Sequence, residues 1–263
     1  MNIQGLIDIG ANLSHPQLYD QLEKVVDNII SSQTQSVIIT SSNLEDTIIA
    51  LDIINQYPDI FYTTVGYHPH NAKDFKSEHI DLINNYCKQK EIVAIGECGL
   101  DYYREYSSVD EQMFCFEKHL MIAEKNDMPI FLHERKAHKD FVSTLKKYKD
   151  NINKAVVHCF TGDKNELKSY IEMDCYIGIT GWISDLSRGK HLHDIVKYIP
   201  KDRLMIETDS PYLMPKNVPF KNNGINEPSY LIYVAETIAE CLNKDISYVK
   251  EISINNTKEF FSI

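Results

Sequence analysis

Ile92-Val93-Ala94-Ile95-Gly96-Glu97-Cys98-Gly99-Leu100-Asp101 begins as a short apolar, partly β-branched run and passes abruptly into two glycines around a carboxylate. A run that is apolar on both faces suits a parallel strand covered on both sides, and the glycines mark where bulk gives way to backbone freedom. The stretch reads as a strand that delivers an acid at its end. The same grammar recurs downstream, where Pro129-Ile130-Phe131-Leu132 runs into His133, Ala155-Val156-Val157 into His158, and Arg203-Leu204-Met205-Ile206 into Glu207-Thr208-Asp209. Four strands are expected to bring Glu97, His133, His158 and Asp209 to one rim. In a parallel barrel that rim is the C-terminal face, where active sites lie, and Glu, two His and Asp are oxygen and nitrogen ligands suited to a catalytic divalent ion.

Working outward, Leu6 to Ile9, Ser36 to Thr40, Ile60 to Val65 and Cys175 to Ile179 supply four more strands. Apolar residues at helical spacing follow them. One helix is expected to bury Leu18, Leu22, Val25, Val26 and Ile29, a second Ile48, Ile49, Ile53 and Ile54, and a third Ile80, Ile83 and Tyr86. Ser108-x-x-Glu111 and Asp163-x-x-Glu166 read as capping boxes. A helix from His191 to Ile199 should stop at Pro200, and two more should begin near Pro228 and Asp245. The strand ends fall about 29 residues apart on average, close to the roughly 30-residue size of a βαβ unit. With no linker in sight, the expectation is an α/β chain forming a single (β/α)8 TIM-type barrel over residues 1–263, with additional C-terminal helices.

Composition is compatible with this. The chain has 263 residues, 43% hydrophobic and 25% charged, so disordered, collagen-like and fibrous readings drop out. No apolar run approaches the roughly 20 residues that span a bilayer, and Met1 to Gly5 lacks a signal-type start, so a cytoplasmic location and no membrane partner are expected. The six cysteines form no C-x-x-C pair and read as reduced thiols inside apolar patterns. A formal charge of −11 argues against gripping long duplexes through a basic face. It does not exclude an enzyme that holds only a strand end.

Taken alone, each candidate has a bland reading, a lone His as a hydrogen-bonded structural residue and a lone Glu as an ion-pair partner. The case rests on four such residues at one topological position in four units. His68 and His70 flank Pro69, which helps hold a defined loop, and His68, nearer the strand end, could donate to a substrate oxygen. Arg135, two residues past His133, could clamp a phosphate with its planar fork. Tyr102, Tyr103, Trp182 and Tyr212 follow strand ends, where flat rings could stack unpaired bases or simply pack the rim.

The same stretches resemble the TatD family of metal-dependent deoxyribonucleases. The likeness runs through DIGANL at 8 to 13, GYHPH at 66 to 70, AIGECGLDYYR at 94 to 104, FLHERKAH at 131 to 138, VHCFTG at 157 to 162, YIGITGW at 176 to 182, ETDSPYL at 207 to 213 and NEP at 226 to 228. The resemblance implies a barrel of the amidohydrolase type, metal dependence, and phosphodiester hydrolysis, with 3'-5' exonuclease action on single-stranded DNA and RNA as an alternative substrate. It carries over Glu97, His133 and His158 as metal ligands, Asp209 as the eighth-strand acid that binds metal or activates water, and His68 and Arg135 as substrate contacts. Glu97 and Asp209 are thereby the catalytic pair.

The chain departs from many relatives at the first strand, where Asp8-Ile9-Gly10-Ala11-Asn12 replaces D-x-H-x-H. That departure resembles the TatD-proper branch and removes two strong ligands from one metal position. The expectation is one tight divalent ion, with any second ion weaker. The resemblance favours Mg2+ or Mn2+, while paired imidazoles would also suit Zn2+. Single-stranded DNA or strand ends are the expected partner, with no obligate protein partner. The rivals are a metal-dependent deacylase or amidohydrolase on the same barrel, because one metal and one activated water can also attack a carbonyl, and a catalytically silent binding protein.

Overall fold

The computed structural model describes residues 5–220 and 224–263. Its strands are β1 (Leu6–Ala11), β2 (Thr34–Ile39), β3 (Phe61–Val65), β4 (Ile92–Asp101), β5 (Ile130–Arg135), β6 (Ala155–Val157), β7 (Tyr176–Ile179) and β8 (Leu204–Ile206). Each lies beside its sequence neighbour in one parallel sheet. Ala11 bridges Ser210 in parallel and the Asp209 amide donates to Gly10 O at 2.8 Å, bringing the two edges together. The fold is a (β/α)8 barrel.

The helices are α1 (Pro16–Tyr19), α2 (Leu22–Ser31), α3 (Leu44–Gln56), α4 (His79–Tyr86), α5 (Val109–Asn126), α6 (His138–Tyr148), α7 (Lys164–Glu172), α8 (Lys190–Ile195), α9 (Leu231–Leu242) and α10 (Ile246–Phe261). Both capping boxes form, Ser108 with Glu111 and Asp163 with Glu166. Three expectations need correction. The helix expected across Leu18 to Ile29 is split into α1 and α2, because Gln21 leaves helical dihedrals at φ −128° and ψ 30°. Ile48 points outward at 49% exposure, since adjacent helical residues lie about 100° apart and cannot share one face. The helix expected from His191 to Ile199 ends at Ile195 and tightens into a 3-10 turn, Val196–Tyr198. A 3-10 turn, Pro228–Tyr230, precedes α9.

Side chains along the strands alternate between two cores. Ile9, Ile38, Ala94, Phe131, Val156, Tyr176 and Met205 fill the barrel interior as one buried cluster. Ile130, Leu132, Ala155, Val157, Ile177, Ile179, Leu204 and Ile206 point the other way, into the layer shared with the helices. Phe260 of α10 meets the Tyr176 ring edge-on at 5.1 Å between centroids. Tyr176 is the first residue of β7, so the last helix closes the N-terminal end of the barrel and leaves the C-terminal end as the open mouth.

Strand period then places the chemistry. Two residues beyond the interior Phe131, Val156 and Met205 come His133, His158 and Glu207, on the same inward face and one layer nearer the mouth. β4 needs a further device. The expectation that it ends at Gly96-Glu97 is corrected, because it continues to Asp101. Between Ile95, opposite Ile130, and Cys98, opposite Leu132, it takes three residue steps against two on β5. That extra residue is a bulge, a feature that re-aims a side chain, and Glu97 lies within it. The Gly96-Glu97 peptide is cis. All six cysteines are free. Among the described residues no helix is long and apolar enough to cross a membrane.

Candidate metal centre

Three imidazoles meet on one oxygen of Glu97. Its Oε1 lies 2.6 Å from His158 Nε2, 2.9 Å from His133 Nδ1 and 3.3 Å from His68 Nε2. These side chains line a cleft of about 670 Å³ at the mouth, together with Asp101, Arg104, Arg135, Trp182, Arg188 and Asp209. Of the residues expected from sequence, Glu97, His133 and His158 are in mutual contact, as is His68. Asp209 lines the same cleft, but its Oδ1 accepts from Asn12 Nδ2 at 3.2 Å. Arg135 lies against the Tyr103 ring, its Cζ 4.0 Å from the centroid, and its guanidinium makes no hydrogen bond among the described residues. His70 bonds Asp101 Oδ2 at 2.8 Å. Tyr102 is tied to Asp140 and packs on the core, whereas Trp182 and Tyr212 line the cleft.

Sequence reasoning passed over two carboxylates. Glu207, fully buried, accepts from the Cys159 amide and sits 3.3 Å from His158 Nδ1. His158 is thus held by an acid at each ring nitrogen. Asp101 faces His133 from the other side, its Oδ2 3.5 Å from Nε2, while its Oδ1 accepts from the Tyr103 and Arg104 amides at 2.8 and 3.0 Å. The signal for Glu207 was present as the two-residue step from an interior Met205.

The first-strand departure also acquires a physical reason. A Cβ on Gly10 would come within 2.6 Å of Glu207 Oε2, so the side-chain-free position makes room for that carboxylate. Asn12, the other departed position, holds Asp209. In this chain the first strand supports two acids instead of supplying two imidazoles.

The electrostatics follow from burial and proximity. Burial alone would raise the Glu97 carboxyl, but the His158 and His68 imidazoles and the His133 hydrogen bond outweigh it and hold it well below its usual range. Burial would lower His158, yet Glu97 and Glu207 outweigh it and lift it well above the ordinary imidazole value. His133 is raised against burial by Asp101 and Glu97. Asp209 goes the other way, pushed up to about 7 by burial, with His158 opposing and Glu97 and Glu207 adding to the rise. Burial takes His68 down to about 4 despite Glu97.

This donor set fits a divalent cation. One carboxylate oxygen cannot accept well-aligned bonds from three imidazoles at once. His133 Nε2 is buried without a hydrogen-bond partner among the described residues, its 3.5 Å separation from Asp101 being long for a good bond. Nitrogen and oxygen donors that crowd together and attract positive charge are what such an ion requires. His68, Glu97 and His133 bring donor atoms within 4.8 Å of one another. His68 differs from the other imidazoles in one respect. Its Nδ1 accepts the His70 amide at 3.0 Å, so the neutral ring carries its proton on Nε2 and presents a donor to the cleft, not a lone pair.

A parallel eight-stranded barrel whose C-terminal mouth gathers imidazoles and carboxylates in a polar cleft has the architecture of a metal-dependent barrel hydrolase. The family model for TatD related DNase matches residues 7–262, and the chain belongs to that family. A "3'-5' ssDNA/RNA exonuclease TatD" from Edwardsiella piscicida is 36% identical over 259 residues, covering 98% of this chain and 100% of the relative. Another of the same name from Pectobacterium parmentieri is 37% identical with the same coverage. Among solved structures, a TatD family hydrolase from Entamoeba histolytica superposes with a TM-score of 0.87 at 28% identity, covering 99% of each chain. A TatD homologue from Escherichia coli shares the fold with a TM-score of 0.89 at 21% identity, again covering 99% of each.

Proposed function

We propose that this protein is a metal-dependent nuclease that removes nucleotides from the 3' end of single-stranded DNA, and of RNA as a second substrate. The observation that carries this reading is the convergence of His133, His158 and His68 on Glu97 within a cleft that also holds Arg104, Arg135 and Arg188. Full-length relatives named as 3'-5' ssDNA/RNA exonucleases at 36 and 37% identity support it. Glu97, His133 and His158 would hold one ion tightly, Mg2+ or Mn2+ before Zn2+, and a second, weaker ion would draw on Asp209. Such an ion supplies a Lewis acid for the phosphoryl oxygens and makes water a better nucleophile.

The chain's own residues do the rest. Asp209, held by Asn12, orients the attacking water or takes its proton as the bond from phosphorus to the 3' oxygen breaks. His68 donates from Nε2 to a phosphoryl oxygen, and Arg135 offers its fork to the same phosphate. The test is a 5'-labelled single strand, with matched RNA and duplex controls, in Mg2+, Mn2+, Zn2+ or EDTA. The expected product is a ladder shortening from the 3' end, abolished by EDTA and by Asp209→Ala. No cleavage by folded, metal-loaded protein would overturn the reading and direct the search to acyl substrates.

Glu207 enters as a positioning residue. By accepting from His158 Nδ1 it would keep the Nε2 lone pair directed at the ion. Glu207→Gln is expected to weaken metal binding by about tenfold to a hundredfold, read by calorimetric titration of Mn2+ into metal-free protein. Unchanged affinity would leave Glu207 with a packing role only.

A further inference from the structure

Beside the main cleft lies a smaller cavity of about 220 Å³ that shares Arg135, Trp182 and Arg188 with it and extends to Lys136 and His191. We propose that this side pocket is a second phosphate subsite, which holds the phosphate on the 5' side of the scissile one and so registers the strand for cleavage. The proposal rests on the nuclease reading and adds a site outside the imidazole cluster.

Charge balance within the pocket supports an anion. Its two carboxylates are already engaged by the fold, since Glu134 accepts from the Ala137 amide at 2.7 Å and from Tyr170 Oη at 2.9 Å, while Glu166 Oε2 accepts from the Asp163 amide at 2.8 Å. Its cations are less committed: the Arg135 guanidinium and the Lys136 ammonium make no hydrogen bond or ion pair among the described residues, and the Arg188 guanidinium pairs only through Nε, with Asp185 Oδ2 at 2.8 Å. In a chain of net charge −11, unspent guanidinium and ammonium groups gathered at one cavity stand out against the general sign of the molecule.

Geometry points the same way. The two guanidinium groups rest on rings, Arg135 Cζ 4.0 Å from the Tyr103 centroid and Arg188 Cζ 4.3 Å from that of Trp182. Flat support of this kind orders a fork before a ligand arrives, so less rotamer freedom is lost on binding. Trp182 Nε1 is buried with no hydrogen-bond partner among the described residues, leaving a donor beside the cavity unspent. The volume lies below the roughly 300 Å³ at which sites for whole small molecules begin. It suits a phosphate, with sugar and base left in the larger cleft. Because Arg135 borders both cavities, neighbouring phosphates of one strand can occupy them together.

The test uses two dinucleotides that differ only at this phosphate, dTpdT and its 5'-phosphorylated form pdTpdT, with inorganic phosphate as a third ligand. Metal-free protein in EDTA is titrated by calorimetry. Trp182 is the sole tryptophan, so its emission is recorded in parallel as a reporter of where the ligand sits. The 5' phosphate is expected to tighten binding by about tenfold to a hundredfold, the range of a charge-assisted hydrogen-bonded contact, and to change Trp182 emission. Lys136→Ala, outside the main cleft, should remove most of that increment while binding dTpdT as the parent does, and Arg188→Ala should also remove most of it. Lys136 is exposed and unpaired, so its loss leaves the fold intact. Inorganic phosphate that binds as tightly as pdTpdT would make this a site for the free ion and overturn the strand reading. Equal affinity for both dinucleotides, an increment that survives both substitutions, or an unmoved emission would each overturn the subsite. If the ladder from long strands still forms in those cases, the nuclease reading stands and only the side pocket falls. If wild type neither cleaves nor binds, both fall.

Discussion

Glu97→Gln is expected to slow strand hydrolysis by at least about a thousandfold, or about 4 kcal/mol of transition-state stabilisation. The substitution keeps the shape of the side chain and removes its charge. That charge is what the cluster is built around, because Oε1 faces nitrogens of His158, His133 and His68 at 2.6, 2.9 and 3.3 Å. A neutral amide oxygen attracts a cation and the imidazoles far less than a carboxylate does, and the NH2 group would present hydrogens where lone pairs are needed. Metal content should fall with activity. Steady-state rates at excess Mn2+, equilibrium dialysis of the ion and a thermal melt separate the chemical effect from misfolding. A folded variant within tenfold of the parent rate would remove Glu97 from the centre of the mechanism.

Gly99→Ala is expected to destabilise the protein by about 3 kcal/mol or more, combining backbone strain with overpacking. Gly99 has φ +141°, a region closed to residues with a side chain, and a Cβ there would stand 2.0 Å from His133 O. The obstacle is backbone and not the end of a flexible chain, so β4 and β5 must separate for the methyl to fit. The two residues are directly paired in the sheet, and His133 Nδ1 faces Glu97 two positions before Gly99. The variant should therefore lose metal affinity along with stability. Urea unfolding followed by circular dichroism, with Mn2+ titration of the folded fraction, measures both. A stability loss below about 1 kcal/mol, the ordinary effect of a single substitution, would show that the pair relaxes freely and that Gly99 is not required for close approach.

Much of the site could be read along the chain because β/α units repeat their grammar. Apolar runs that end in His133, His158 and Glu207-Thr208-Asp209 declare both a parallel strand and its chemical end. That local signal was sufficient for the barrel, for two of the imidazoles and for the capping boxes that start α5 and α7. It was insufficient for α3, where the adjacent residues Ile48 and Ile49 look alike in sequence and only one turns toward the core.

Period and composition are local properties of the chain, and they suffice to set the class of fold and which strands carry nitrogen and oxygen donors. The tertiary structure alone decided which of those donors meet. The three-against-two step between β4 and β5 aims Glu97 inward, and that bulge exists only in the pairing of two strands. Glu207 lies in phase with the interior Met205 and fits because Gly10, 197 residues earlier in the chain, leaves space for its carboxylate. His68 presents a proton instead of a lone pair because the folded loop turns the His70 amide onto its Nδ1. Each of these outcomes depends on atoms brought together across the barrel mouth, and a one-dimensional pattern carries no distance between them.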